Sequence, residues 1–168
     1  KPKGFTSFDV VAVLRGILKE KKIGHGGTLD PNVTGVLPIF IGRATKAIDL
    51  APTHDKKYSA VFRLGIKTDT QDIWGEIIEE NTPIKDLKLI EDAVLSFKGE
   101  IMQTPPMFSA IKINGKRLYD LAREGQTVER PQRKITVYDM AFEGVGEEEN
   151  EYKFSAHVSK GAYIRTIC

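Results

Sequence analysis

The residues best suited to chemistry fall into three groups. Asp30 closes Gly24-His-Gly-Gly-Thr-Leu-Asp-Pro31, where Pro31 restricts it to extended backbone and the glycines let the chain approach a ligand closely. A lone Asp-Pro is usually just a turn. The second group, Ser159-Lys-Gly-Ala-Tyr-Ile-Arg165, sets a cation and an aromatic at a strand-to-helix junction, where function often sits. The third, Asp69 and Asp72 in Thr68-Asp-Thr-Gln-Asp72, offers a cation site or a carboxylate pair. A turn between two strands is the favoured reading, because Asp and Thr both bond to local backbone.

Several other chemistries fail on spacing. Gly24-His-Gly26 lacks the third glycine and a preceding strand, so it is no dinucleotide fingerprint, and no Gly-Lys-Ser or Gly-Lys-Thr follows to make a P-loop. His25, His54 and His157 stand far apart without paired ligand spacing, so a zinc-type metal site has no support. Asn32-Val-Thr34 matches a glycosylation sequon by chance. The single cysteine, Cys168, excludes an internal disulfide framework.

Charge is segregated along the 168 residues. The net charge of +2 divides into +5 over residues 1–58, −4 over 59–110, +4 over 111–135 and −3 over 136–168. Two basic blocks could fold onto one face and hold a polyanion; a mosaic of solvated faces fits the counts at least as well. With 40% hydrophobic and 29% charged residues the composition is that of a globular protein. No apolar run approaches the ~20 residues that span a bilayer, and no basic-then-apolar leader is present. These features point to a cytoplasmic protein without a membrane partner.

The elements that must position these residues are readable in outline. Thr6 and Asp9 fit a capping box at the start of a helix over Thr6–Lys19, with Val10, Val13, Leu14, Ile17 and Leu18 at helical spacing. A loop over Gly24–Pro31, a buried strand over Val36–Ile41 and a short helix over Arg43–Ala51 follow. Tyr58, Ala60, Phe62 and Leu64 alternate as a half-buried strand, with Ile73–Glu80 as a partner strand. Thr82-Pro83 opens a helix with Leu87, Ile90, Val94 and Phe97 on one face, ended by Gly99. Met107–Ile113 reads as a strand, Asn114-Gly115 as a turn, and Arg117–Glu124 as a short helix stopped by Gly125. Thr136, Tyr138, Met140 and Phe142 alternate, and after a turn over Gly144–Asn150 so do Tyr152, Phe154, Ala156 and Val158. This irregular mixture argues for an α+β fold with a mixed, largely antiparallel sheet flanked by helices.

Taken together, Lys1-Pro2-x-Gly4, Thr6-Ser7-x-Asp9-Val10-Val11, Gly24-His-Gly-Gly-Thr-Leu-Asp-Pro31, Thr34-Gly35-Val36-Leu37-Pro38, Ala44-Thr45-Lys46, Lys57-Tyr58, Thr68-Asp69-Thr70 and Ser159-Lys-Gly-Ala-Tyr-Ile-Arg-Thr166 closely resemble the TruB family of tRNA pseudouridine synthases. The resemblance implies the pseudouridine synthase catalytic fold and isomerisation of uridine to pseudouridine at position 55, in the T-arm of tRNA. It places Asp30 on the family's catalytic aspartate. With an unperturbed pKa of ~3.9, an aspartate is already a carboxylate near neutral pH and needs no base to activate it; attack at C1′ of the ribose and at C6 of the uracil both remain open.

The same resemblance makes Tyr58 the active-site tyrosine, suited to stacking on the extracted uracil and to proton handling at C5. It makes Arg165 the partner of the aspartate, holding its orientation and charge. His25 becomes the side chain that fills the gap left by the flipped nucleotide and offsets part of the few kcal/mol that flipping costs. Tyr163 and Lys160 fall on the site wall, and Gly26 and Gly27 on the substrate-facing loop, Gly27 standing where Thr-Gly is common in relatives. The basic stretch Lys112–Lys134 would be a phosphate-contacting flank.

No cofactor or metal is expected, since the reaction has no net redox change and no leaving group departs. The partner is tRNA and the protein is expected to be a monomer. The chain is expected to be the catalytic domain over residues 1–168, incomplete at its C-terminus, with the small RNA-binding (PUA) domain of many bacterial members absent. Two other readings are an RNA-binding or tRNA-folding module without chemistry and a guide-RNA-dependent synthase subunit.

Overall fold

Thr6 begins the first helix because two side chains trade hydrogen bonds there. Its hydroxyl accepts from the Asp9 N–H at 3.0 Å, and the Asp9 carboxylate accepts from the Thr6 N–H at 2.8 Å, the capping box that the sequence implies. Helix α1 spans Ser7–Leu18 and stops where Lys19 turns left-handed at φ 53°. This computed structural model describes residues 1–50 and 55–168; Ala51 and His54 lie outside them. The chain divides into two compact units, Lys1–Thr53 and His54–Cys168.

In the first unit α1 buries Ser7 and Val11. The expected apolar stripe is corrected, since Val13, Ile17 and Leu18 remain 49%, 68% and 46% exposed. Ser7 fixes the inward face: its hydroxyl accepts from the Leu29 N–H at 3.0 Å, and Val11, one turn on, turns in with it. Strand β1 (Ile23–His25) pairs antiparallel with β2 (Ile39–Ile41), so the segment read as loop from Gly24 starts as a strand. The buried strand expected over Val36–Ile41 shrinks to three residues. Val36 is 93% exposed, and Pro38, which has no N–H for a ladder, accepts instead from the Gly26 N–H at 2.9 Å. A 3-10 helix over Gly42–Leu50 stands where a short helix over Arg43–Ala51 is expected.

The second unit is built on a four-stranded antiparallel sheet in the order β3 (Lys56–Arg63), β10 (Glu151–Val158), β9 (Arg133–Val145), β6 (Gly99–Gln103). Every pairing among the described residues is antiparallel. Tyr152, Phe154, Ala156 and Val158 are buried in strict alternation, as the period-two pattern predicts. The phase of β9 differs from expectation, because Ile135 and Val137 face the core while Tyr138 is 45% exposed. The register shift between His157 and Val158 leaves Tyr138 as the extra residue of a bulge, and a bulge swaps the faces on either side of it.

Helix α2 (Leu87–Leu95) lays Ile90 and Val94 into this core. Its cap is Asp86, whose Oδ1 accepts from the Lys88 and Leu89 N–H groups at 2.9 and 3.2 Å, and not Thr82-Pro83; Leu87 stays half exposed at 50%. Gly99, expected as a helix stop, opens β6 at φ 117°.

The partner of β5 (Ile77–Glu80) is β4 (Ile66–Thr68), a short separate ladder rather than the Tyr58 strand. The strand expected over Met107–Ile113 reduces to β7 (Lys112–Ile113), paired with β8 (Lys116–Arg117) around Asn114 and Gly115, both at positive φ. The strand before the prolines is β6. Helix α3 (Leu118–Arg123) buries Leu118 and Leu121 and is followed by Gly125 at φ 71°. Helix α4 (Ile164–Ile167) closes the described chain.

Candidate active site

Asp30 sits in the first unit at the corner of a β-turn. The Val33 N–H donates to the Asp30 carbonyl at 3.2 Å, which puts Pro31 where the turn favours a fixed φ. The turn is pinned from both sides. The Pro31 carbonyl accepts from the Gly4 N–H at 2.9 Å and from Lys1 Nζ at 2.9 Å, and Ser7 holds the Leu29 N–H immediately upstream. Gly24 and Gly26 serve packing more than freedom: a Cβ there would stand 2.9 Å from the Ile48 side chain and 2.9 Å from the Phe40 ring. The Nδ1 of half-buried His25 donates to the Gly27 carbonyl, which orients the ring. The segment that carries Asp30 is therefore tied at several points.

The other predicted residues belong to the second unit. Tyr58 lies on β3 opposite Ala156, half-buried against the edge of the core cluster. Ser159 to Ala162 form a turn that needs Gly161 at φ 89°, with Lys160 exposed on it. Tyr163 is the N-cap of α4, and Arg165 follows two residues later.

The Arg165 side chain is 16% exposed. Its Nη1 donates to the Thr70 carbonyl and its Nη2 to the Phe108 carbonyl, each at 2.9 Å, and Asp72 Oδ2 stands 3.9 Å from Nη1. A planar guanidinium suits such a fork.

Thr68–Asp72 is a turn, as favoured, and its carboxylates are engaged locally. Asp69 Oδ1 accepts from the Glu76 N–H at 2.8 Å. Asp72 Oδ1 accepts from the Thr70 hydroxyl at 2.8 Å and the Trp74 N–H at 3.0 Å. Its tertiary role escaped the sequence reading: Thr70 and Asp72 seat Arg165, and the Thr166 hydroxyl donates to Gln71 Oε1 at 2.7 Å. Contacts spanning 95 residues leave no local signal. Among the described residues no cluster of His, Cys, Asp and Glu could hold a metal ion.

The basic stretch Lys112–Lys134 presents a distinct surface. Arg117 and Arg123 lie 5.6 and 5.5 Å from the Tyr119 ring, while Lys112 and Lys116 are exposed on the β7–β8 hairpin. Cations flanking an aromatic face suit phosphates and unstacked bases. Two of its charges are engaged elsewhere: Lys134 pairs with Glu100 at 2.7 Å and Arg130 donates to the Pro105 carbonyl at 3.1 Å. Among the described residues no helix is long and apolar enough to cross a membrane.

A family model described as "TruB family pseudouridylate synthase (N terminal domain)" matches residues 15–164. The tRNA pseudouridine synthase B of Alkaliphilus oremlandii is 51% identical over 168 residues, which cover 100% of this chain and 56% of that protein. The protein of the same name from Latilactobacillus sakei subsp. sakei is 50% identical over 175 residues, covering 99% and 57%. The chain thus spans about half the length of the curated relatives it matches.

Among solved structures, a chain of a Cbf5–Nop10–Gar1 complex is similar at TM-score 0.70 and 32% identity, covering 99% of this chain and 40% of that one. A chain of an H/ACA RNP bound to a substrate RNA containing 2′-deoxyuridine matches at TM-score 0.64 and 28% identity, covering 99% and 38%.

Proposed function

Since the chain belongs to the TruB family of pseudouridylate synthases, we propose that it carries the catalytic domain of an enzyme converting uridine to pseudouridine at position 55 in the T-arm of tRNA. The observation that carries this reading is the match along the whole chain to relatives named tRNA pseudouridine synthase B. In the reaction the bond from C1′ to N1 breaks, the uracil turns, C1′ bonds to C5, and the C5 proton is exchanged for one on N1.

Asp30 is the nucleophile on this reading. Its backbone is fixed by the turn to Val33 and by the Ser7 hydroxyl next door, so its main chain is already placed when substrate arrives. Arg165 orients and charges that carboxylate, Tyr58 stacks on the uracil and handles the proton at C5, and Tyr163 and Lys160 wall the site. His25, with Gly26 and Gly27 beside it, fills the space of the flipped nucleotide. The Lys112–Lys134 surface holds RNA phosphates. The enzyme works as a cytoplasmic monomer on tRNA, without cofactor or metal.

Asp30→Asn in the full-length protein tests the assignment. It should abolish pseudouridine in T-arm RNA, mapped by carbodiimide modification, while RNA affinity stays near wild type. Undiminished product removes Asp30 as nucleophile. His25→Ala should weaken productive binding more than Asp30→Asn does at one fixed salt concentration; equal affinities remove the gap-filling role.

The likeness to a chain of the Cbf5–Nop10–Gar1 complex supports a second reading, a synthase subunit directed by guide RNA. Product from free tRNA without guide or partner proteins decides for the first. Tight tRNA binding without any product decides for an RNA-folding module.

A further inference from the structure

Gln103 ends β6 and is 6% exposed despite its polar side chain. A buried amide must find partners or cost stability, and both ends of this one go to a single residue 60 positions away. Its Nε2 donates to the Tyr163 carbonyl at 3.0 Å, and its Oε1 accepts from the Tyr163 N–H at 2.8 Å. The side chain therefore pairs with a peptide unit as a neighbouring strand would. Tyr163 caps α4 without any side-chain cap of its own, so this pairing sets where the helix begins.

The chain just beyond Gln103 completes the grip. Pro105 and Pro106 are buried and lead away from the sheet, and the Phe108 carbonyl receives Arg165 Nη2. Gln103 and Phe108 thus hold Tyr163 and Arg165, side chain to backbone in one case and backbone to side chain in the other. A leucine or methionine would fill the same volume without the cost of burying an amide, and neither could fix the register of residues 163–165.

We infer that Gln103 is a positioning residue for Arg165 and Tyr163, acting through the Tyr163 peptide. The inference rests on the pseudouridine synthase reading. Gln103→Met keeps the bulk and removes both bonds; Gln103→Asn keeps the amide but is one methylene short. In full-length protein each should lower kcat on T-arm RNA by about 10- to 100-fold, the scale of a misplacement near 1 Å, with RNA affinity unchanged.

Hydrogen exchange supplies a readout independent of turnover. The Tyr163 amide should exchange at least about tenfold faster in both variants, while the Phe154 amide in β10 keeps its protection. Wild-type kcat in either folded variant, an unchanged Tyr163 exchange rate, or a kcat loss matched by lost RNA affinity overturns the inference. Wild-type protein that makes no pseudouridine removes the proposed activity and this role together, whereas active wild type with an equally active Gln103→Met removes this role alone.

Discussion

Arg165→Lys isolates the contribution of the guanidinium fork. In the structure Nη1 and Nη2 reach two different carbonyls, Thr70 and Phe108, each at 2.9 Å, from a side chain only 16% exposed. A lysine ends in one nitrogen without the planar fork, so it can satisfy one carbonyl and must abandon the other. A hydrogen bond to a charged group contributes roughly 1.5–3 kcal/mol, so the loss of one costs about 2 kcal/mol. The Asp72 carboxylate at 3.9 Å survives as a partner for either cation and changes this little. The chain spans about half the length of its relatives, so in the full-length protein about 1–2 °C of Tm accompanies each kcal/mol, and Tm should fall by about 2–4 °C.

Turnover should fall further than stability, by about 100-fold, because an ammonium on a flexible stem does not hold the orientation that the fork enforces. Scanning calorimetry of the full-length variant and single-turnover assays on T-arm RNA read the two effects separately. A Tm within about 1 °C of wild type would show that the fork does not hold the 68–76 turn. Undiminished single-turnover rates would remove Arg165 from the chemistry.

Three further perturbations probe the supports of Arg165 and Asp30. Gly75→Ala would bring a Cβ to 2.5 Å from Asp69 Oδ1 and 3.0 Å from the Thr70 backbone nitrogen; relief must come from the turn that seats Arg165, so urea unfolding should show a loss of about 1–3 kcal/mol, and kcat should fall as well. Near the Asp30 loop, Thr6→Ala removes the helix cap and should cost about 1 kcal/mol at neutral pH. The Asp9 carboxyl is held below the ordinary carboxylate range, first by its side-chain hydrogen bond with Thr6 and then by the Thr6 backbone N–H. A lowered folded-state pKa gives stabilisation that is complete above the unfolded value of ~3.9 and lost as pH falls through the folded value. The stability difference between wild type and Asp9→Asn, followed by urea titration at several pH values, should therefore hold from neutrality down to about pH 5 and vanish in stronger acid.

What was legible in the sequence is what short-range chemistry decides. The Thr6–Asp9 box, the Asn114-Gly115 turn, the helix stop at Gly125 and the alternation along β10 depend on neighbours a few positions apart, and the structure has each where the pattern puts it. The outward phase of Tyr138 depends on a bulge that only the pairing with β10 defines. The buried face of α1 departs from the apolar stripe because five apolar residues compete for it and the face that turns inward is the one whose serine hydroxyl accepts from the Leu29 N–H. Asp30 and Arg165 stood out as residues, yet the partners of Arg165 lie 95 and 57 positions away, and nothing in the sequence around Thr70 or Phe108 marks them as acceptors.

These two modes of support have different consequences for how substitutions combine. The Asp30 turn is secured inside the first unit, by Val33 and by the Lys1–Ser7 segment, whereas Arg165 is seated by two separate segments, the 68–76 turn and the 103–108 stretch, that act on it together. Gly75→Ala and Gln103→Met disturb the same guanidinium from different sides. Once either has displaced it, the other has less left to lose, so their effects on kcat should fall short of additive. Each should add in full to Asp86→Ala, which removes the α2 cap bonded to Lys88 and Leu89, as expected of sites without a shared partner. A double variant Gly75→Ala/Gln103→Met whose kcat loss equals the product of the single losses would mean that the two segments do not converge on Arg165.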